Sequence, residues 1–111
     1  MDRLRNIHPG EILKEEFLDP FGLSAYRLSK EIHIPQTRIS QKIQGKRRIT
    51  ADTALRLSEF FGNSAQFWMG LQDDYDLEEG RLKIKTELQQ IQKIQIVLAD
   101  ASRAGKDLAA G

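Results

Sequence analysis

Gln36, Thr37, Arg38, Ser40 and Gln41 place five hydrogen-bonding side chains within six residues, interrupted only by Ile39. Side chains of these types match the donors and acceptors on DNA base edges. Gln pairs bidentately with adenine, Arg does so with guanine, and the Thr methyl can touch the methyl of thymine. Lys42, Lys46, Arg47 and Arg48 follow. Phosphate oxygens need only positive charge and N–H donors, so these cations suit a nucleic-acid backbone, where they supply affinity rather than sequence information. Arg27 and Lys30, a little upstream, are further phosphate candidates.

Such side chains can read a groove only if a rigid element presents them together. Ile39 and Ile43, four residues apart, share one face of a helix and pin it to a core, leaving Thr37, Gln41 and Gln44 on the opposite side. Pro35 opens this helix and Gly45 stops it. Before it, Ser24 caps another short helix with Ala25, Leu28, Ser29 and Ile32 inward. Two short amphipathic helices joined by a tight turn make a helix-turn-helix. The N-terminal residues of its second helix reach bases while the first helix crosses the backbone.

The rest of the chain also reads as helices. His8–Pro9 opens the first, which carries Ile12, Leu13 and Phe17 and is expected to end at Asp19–Pro20–Phe21–Gly22. Thr50 caps the fourth, where Asp52 favours the positive end and Ala54, Leu57 and Phe61 form the apolar stripe up to Gly62. Ser64 caps the fifth, with Phe67, Trp68, Leu71 and Tyr75 as its bulky face. The expected class is all-α: a five-helix DNA-binding domain over residues 1–80, then a C-terminal extension over 81–111. In that extension Ile84, Leu88, Ile91 and Leu98 recur at helical spacing, which predicts a sixth helix, although Lys93–Leu98 also fits a short strand. Ser102 to Gly111 is small and glycine-punctuated and is expected to be frayed or disordered.

Composition narrows the function classes. At 111 residues the chain is about one domain. Without cysteine it has neither a disulfide framework nor a thiolate zinc site. His8 and His33 lack the spacing of a metal site, so no metal or cofactor is expected. Glu15–Glu16 and Asp73–Asp74 are adjacent pairs that do not share a helix face, and no nucleophile or phosphate-cradling loop accompanies them, which argues against an enzyme. No apolar run is long enough to cross a bilayer, and Met1–Asn6 lacks a signal-peptide core, so a cytoplasmic protein is expected. The net charge is only +1, yet its distribution is uneven. Between Ser24 and Arg56 eight basic residues face Glu31 and Asp52 alone, while Asp73, Asp74, Asp76, Glu78 and Glu79 follow downstream. A basic centre suits a polyanion; the acidic segment could steer a basic partner.

Longer stretches carry a family resemblance. His8–Pro9–Gly10–Glu11–Ile12–Leu13, Leu28–Ser29, Ile34 to Ser40 and Gly45 to Leu57 resemble the lambda-repressor-like (XRE) helix-turn-helix proteins. Phe61–Gly62–Asn63–Ser64 through Phe67–Trp68, Leu71–Gln72 and Tyr75–Asp76–Leu77 resemble, more narrowly, the HigA-type antitoxins, also called virulence-associated protein I. The resemblance covers about Ile7 to Glu79. It departs at His33, where glycine is common and a left-handed residue is required, and at Ala25, where a phosphate-gripping Gln is common.

What this resemblance implies is a five-helix fold, a homodimer on an inverted-repeat operator in double-stranded DNA, and repression of its own promoter. It further implies a partner, a small basic ribonuclease toxin of the RelE kind. Alternatives are a stand-alone XRE-type regulator or an interaction module that no longer binds DNA. Trp68, with Phe67 and Leu71 beside it, belongs either to the core or to the dimer interface. A two-fold dimer sets its recognition helices about 34 Å apart. The apolar stripe after Gly80 is expected to pack back on the domain, extend the dimer or dock a partner, in that order of preference.

Overall fold

The computed structural model describes residues 5–95, and every regular element among them is helical. Helix α1 starts as an α-helical turn over Pro9–Ile12, widens into a π-helical stretch over Leu13–Leu18, and tightens into a 3-10 turn over Asp19–Phe21. Helices α2 (Ala25–Ile32), α3 (Gln36–Ile43) and α4 (Ala51–Phe61) follow. Helix α5 spans Ala65–Lys83 and the short α6 spans Lys85–Gln89.

The caps read from sequence form. Oγ of Ser24 accepts the N–H of Arg27 at 3.0 Å, and Oγ of Ser64 accepts that of Phe67 at 3.0 Å. Thr50 accepts from Thr53 at a looser 3.4 Å. Each bond satisfies one of the donors that a helix start leaves without an intrahelical partner. Helix α3 ends in a Schellman arrangement: Lys46 N–H donates to the Gln41 carbonyl at 2.8 Å and Gly45 N–H to that of Lys42 at 3.1 Å. The turn needs Gly45 at φ +79°, a left-handed value that costs glycine nothing. His33 takes the left-handed conformation its position demands, at φ +60°.

Leu13, Leu18, Leu28, Ile32, Ile34, Ile39, Ile49, Ala54, Leu57 and Trp68 form the buried core. Helix α3 is seated against α1 and α2, while α4 packs on both α2 and α5. Trp68 is fully buried, its ring 4.8 Å from that of Phe17 and 5.0 Å from that of Phe67, and its indole N–H donates to Asn63 Oδ1 at 2.9 Å. Core membership therefore decides the reading of Trp68: a side chain with no exposed surface has none to offer a dimer interface. Phe67 keeps 39% exposure and Leu71 is half-buried.

Three boundaries differ from the sequence reading. Pro20 does not terminate α1 but lies inside its 3-10 turn, where a proline N–H is not needed; Gly22, at φ +65°, makes the stop. Helix α5 passes through Gly80 without a break and reaches Lys83, because one glycine in an exposed helix costs only about 1 kcal/mol. The predicted sixth helix shrinks to Lys85–Gln89, and residues 91–95 are irregular. Ile84, Leu88, Ile91 and Ile94 stay exposed, so the stripe does not pack back on the domain among the described residues. Half of the strand alternative, residues 96–98 with Leu98 among them, and the segment from Ser102 onward lie outside the described residues.

Candidate nucleic-acid interface

Helix α3 divides its residues cleanly. Ile39 is fully buried and Ile43 half-buried, while Gln36, Thr37 and Arg38 are exposed at the N-terminal end and Ser40 and Gln41 are half-exposed. The five base-reading candidates thus share one accessible helix end and flank. Gln41 is partly engaged: its Oε1 accepts from Arg47 Nε at 2.5 Å. That bond leaves the Gln41 amide donor available and draws Arg47 to the edge of α3.

The phosphate candidates separate into three groups. Lys46 and Arg47 are exposed in the loop after α3. Arg27 and Lys30 are exposed on α2, the first tied to Glu31 at 2.6 Å and the second 5.2 Å above the Tyr26 ring. Arg48 is exposed but docked on helix α5, with Nη2 2.5 Å from Asp76 Oδ2.

Lys42 does not belong with them. Only 3% of it is exposed, and its ammonium donates to the Arg48 carbonyl at 2.9 Å. Burial pushes its pKa down, with the positive charges of Arg47 and Arg38 acting in the same direction. Counting lysines near the C-terminal end of α3 suggested a phosphate contact. The loop folds back over the stem, however, and turns the lysine into an internal tie between α3 and the basic loop.

Several site-shaping residues carried no clear signal in the sequence. Arg56, one cation among many there, donates to the carbonyls of Ile32 (2.8 Å) and His33 (3.2 Å), and Asp52 holds its Nε at 3.1 Å. It supplies partners for the carbonyls at the C-terminal end of α2, so the turn between α2 and α3 is braced from α4. Gln72, 1% exposed, accepts the Ile49 N–H at 2.7 Å and donates to Asp76 Oδ1 at 2.9 Å. In the sequence Gln72 stood out only as part of the family resemblance; its place in α5, beneath the end of the basic loop, came with no sign of a bond to Ile49.

The motif His8–Pro9–Gly10 has its own geometry. Nδ1 of His8 accepts the Gly10 N–H at 2.9 Å, capping α1, while the ring meets Tyr75 edge-on with centroids 4.8 Å apart. Asn6 donates to the Tyr75 carbonyl at 3.0 Å. The start of the described chain is thereby fastened to α5. Gly10 lies directly against the backbone of α3, where a Cβ would sit 1.7 Å from the Lys42 carbonyl oxygen.

Comparison with known proteins agrees with this geometry. Residues 13–68 match the helix-turn-helix family. Virulence-associated protein I of Dichelobacter nodosus is 54% identical over 72 residues, which cover 65% of this chain and 67% of that relative. The antitoxin HigA of Pseudomonas aeruginosa, solved with the higBA promoter, superposes with a TM-score of 0.79 at 36% identity, over 82% of this chain and all of that one. A HigA-family addiction module antidote protein from Coxiella burnetii gives a TM-score of 0.77 at 42% identity, with the same coverage. Exposed polar residues on a helix anchored by its buried face, the bracing of the turn and these similarities lead to one conclusion: the chain belongs to the XRE-type helix-turn-helix family, alongside relatives named virulence-associated protein I and HigA antitoxin.

Proposed function

We propose that this chain is a sequence-specific DNA-binding repressor and the antitoxin of a type II toxin–antitoxin pair, working in the cytoplasm. As a homodimer it binds an inverted repeat in its own promoter, and it silences a small basic ribonuclease toxin. The observation that carries the DNA half is the polar end of α3: Gln36, Thr37 and Arg38 are exposed on a helix whose opposite face holds the fully buried Ile39. The basic loop at Lys46 and Arg47 follows the other end of α3, with Arg47 bonded to Gln41, and is suited to the phosphates that flank a major groove. Phe67 and Leu71 remain available for the dimer interface, and the solved HigA–promoter relative supports the same docking. The toxin half rests on kinship with proteins named as antitoxin or antidote, together with the exposed acidic residues Asp73, Asp74 and Glu79 on α5.

Binding to the chain's own promoter, measured by anisotropy across a range of salt, tests the DNA half. Arg38→Ala is expected to cost about 1–3 kcal/mol on the operator and to relax preference at one base pair. Arg47→Ala is expected to weaken binding to operator and unrelated DNA alike, with the salt slope reduced by about one. If neither substitution changes binding, α3 is not the reading helix. Co-purification with a small basic protein encoded next to the gene tests the toxin half, and a chain that recovers none is a stand-alone regulator.

A further inference from the structure

The loop between α3 and α4 carries three consecutive cations, but their surroundings differ. Lys46 and Arg47 lie beside the reading helix, whereas Arg48 is held from three directions. Its carbonyl accepts from the buried Lys42 ammonium at 2.9 Å, and the next residue's N–H donates to the buried Gln72 at 2.7 Å. Its guanidinium meets Asp76 Oδ2 at 2.5 Å. Asp76 is itself oriented, since its other oxygen accepts from Gln72 Nε2 at 2.9 Å. Gln72 thus fixes both the backbone after Arg48 and the carboxylate that receives its side chain.

A carboxylate and a phosphate offer guanidinium the same kind of acceptor: two anionic oxygens that can be engaged by parallel N–H groups. We infer that Asp76 is an internal stand-in for a DNA phosphate, occupying Arg48 in the free protein and thereby setting the affinity of the DNA interface. This inference rests on the DNA-binding reading of α3 and its loop. Side-chain exposures of 51% for Arg48 and 42% for Asp76 leave the pair open to solvent, so a phosphate can exchange with the carboxylate without unfolding. Asp76 is ionised at neutral pH as any exposed carboxylate is, and the hydrogen bond from Arg48 pushes its pKa further down. Because the backbone of Arg48 is anchored on both sides, the exchange is a swing of the side chain alone. Affinity is held down at this point while the loop stays in place.

The decisive variants are Asp76→Asn, Arg48→Gln and their combination. Asn keeps an oxygen for Gln72 while removing the charge that detains Arg48. Dissociation constants are read by anisotropy on two duplexes of equal length, the chain's own promoter and a scrambled one, over a salt series. Asp76→Asn is expected to tighten binding to both duplexes about threefold at low salt, the scale of a released surface ion pair. It should also steepen the salt dependence by about one unit of slope, because no carboxylate is left behind to take up the cation that the phosphate releases. In the Arg48→Gln background the gain should vanish. A gain of equal size in that background assigns the effect to long-range charge and overturns the pairing, as does unchanged or weaker binding by Asp76→Asn alone. Wild-type protein that fails to prefer its own promoter overturns the DNA-binding reading and this inference with it. A wild type that prefers its promoter, with an inert Asp76→Asn, overturns only the inference.

Discussion

Gly10→Ala sets two well-known effects against each other, and the structure decides between them. Gly10 lies in the first turn of α1, where alanine has the better helix propensity and restricts the unfolded chain, together worth up to about 1 kcal/mol of added stability. A Cβ at this position, however, would lie 1.7 Å from the Lys42 carbonyl oxygen, 2.6 Å from its carbon and 3.0 Å from Ile43 Cα. All three are backbone atoms of α3, so no side chain can rotate aside. Relief to an ordinary C···O contact of about 3.3 Å requires α1 and α3 to part by roughly 1.5 Å. A gap of even 0.5–1 Å forfeits about a quarter to a half of the dispersion energy of the contacts it opens. The buried Pro9 and Leu13 lie in this part of α1. Overpacking of this kind costs about 3 kcal/mol, which leaves a net loss of about 2 kcal/mol after the propensity gain. For a domain this size that is a fall in Tm of roughly 8–16 °C. Thermal and urea unfolding followed by circular dichroism measure it directly. A variant as stable as the wild type, or more so, would show that α1 does not rest on the α3 backbone and would refute the reasoning.

Two other perturbations test neighbouring features. Lys42→Met should leave the salt slope of DNA binding unchanged, because the ammonium is engaged with the Arg48 carbonyl. The lost hydrogen bond and the relief of a desolvated charge nearly offset, giving a stability change of about 1 kcal/mol in either direction. A slope reduced by about one would instead place Lys42 on a phosphate. His8 offers a test by pH. Burial lowers its pKa from the ordinary 6.5, with Asp76 and Glu11 opposing, so the folded state binds a proton less readily than the unfolded chain. The contribution of neutral His8 is therefore fully present above pH 6.5 and is lost as pH falls through the depressed folded value. His8→Asn keeps an acceptor for the Gly10 N–H but cannot titrate. The stability of wild type relative to this variant should decline as the pH is lowered from 8 to about 5, and a constant difference in Tm over that range would count against it.

Much of this protein could be read along the chain because its information is local. A cap such as Ser24 or Ser64 bonds to an amide three residues away, and a glycine such as Gly45 or Gly62 supplies the left-handed residue its own turn requires. The inward placement of Ile39 and the outward placement of Gln36, Thr37 and Arg38 follow from helical periodicity alone. These features determined the helical class, the turn between α2 and α3 and the exposed polar face of α3. Helix ends without such signals were harder to place: α5 crosses Gly80, and the stripe at Ile84, Leu88 and Ile91 stays exposed, since periodicity shows which residues share a face but not whether another surface covers it.

What only the tertiary structure decided concerns partners distant in sequence. Lys42 and Arg48 have equal claim to a phosphate when read as cations, yet one is buried under the loop and the other leans on Asp76, 28 residues away. Gln72 reaches back 23 residues to Ile49, and Arg56 reaches back to the turn that it braces. Trp68 could be assigned to core or interface until Phe17, Phe61 and Phe67 were seen around its ring. A side chain's type states which bonds it can make. Which of them it does make depends on the groups that folding brings within about 3 Å of it, and that distance is set by packing between helices rather than by position in the chain.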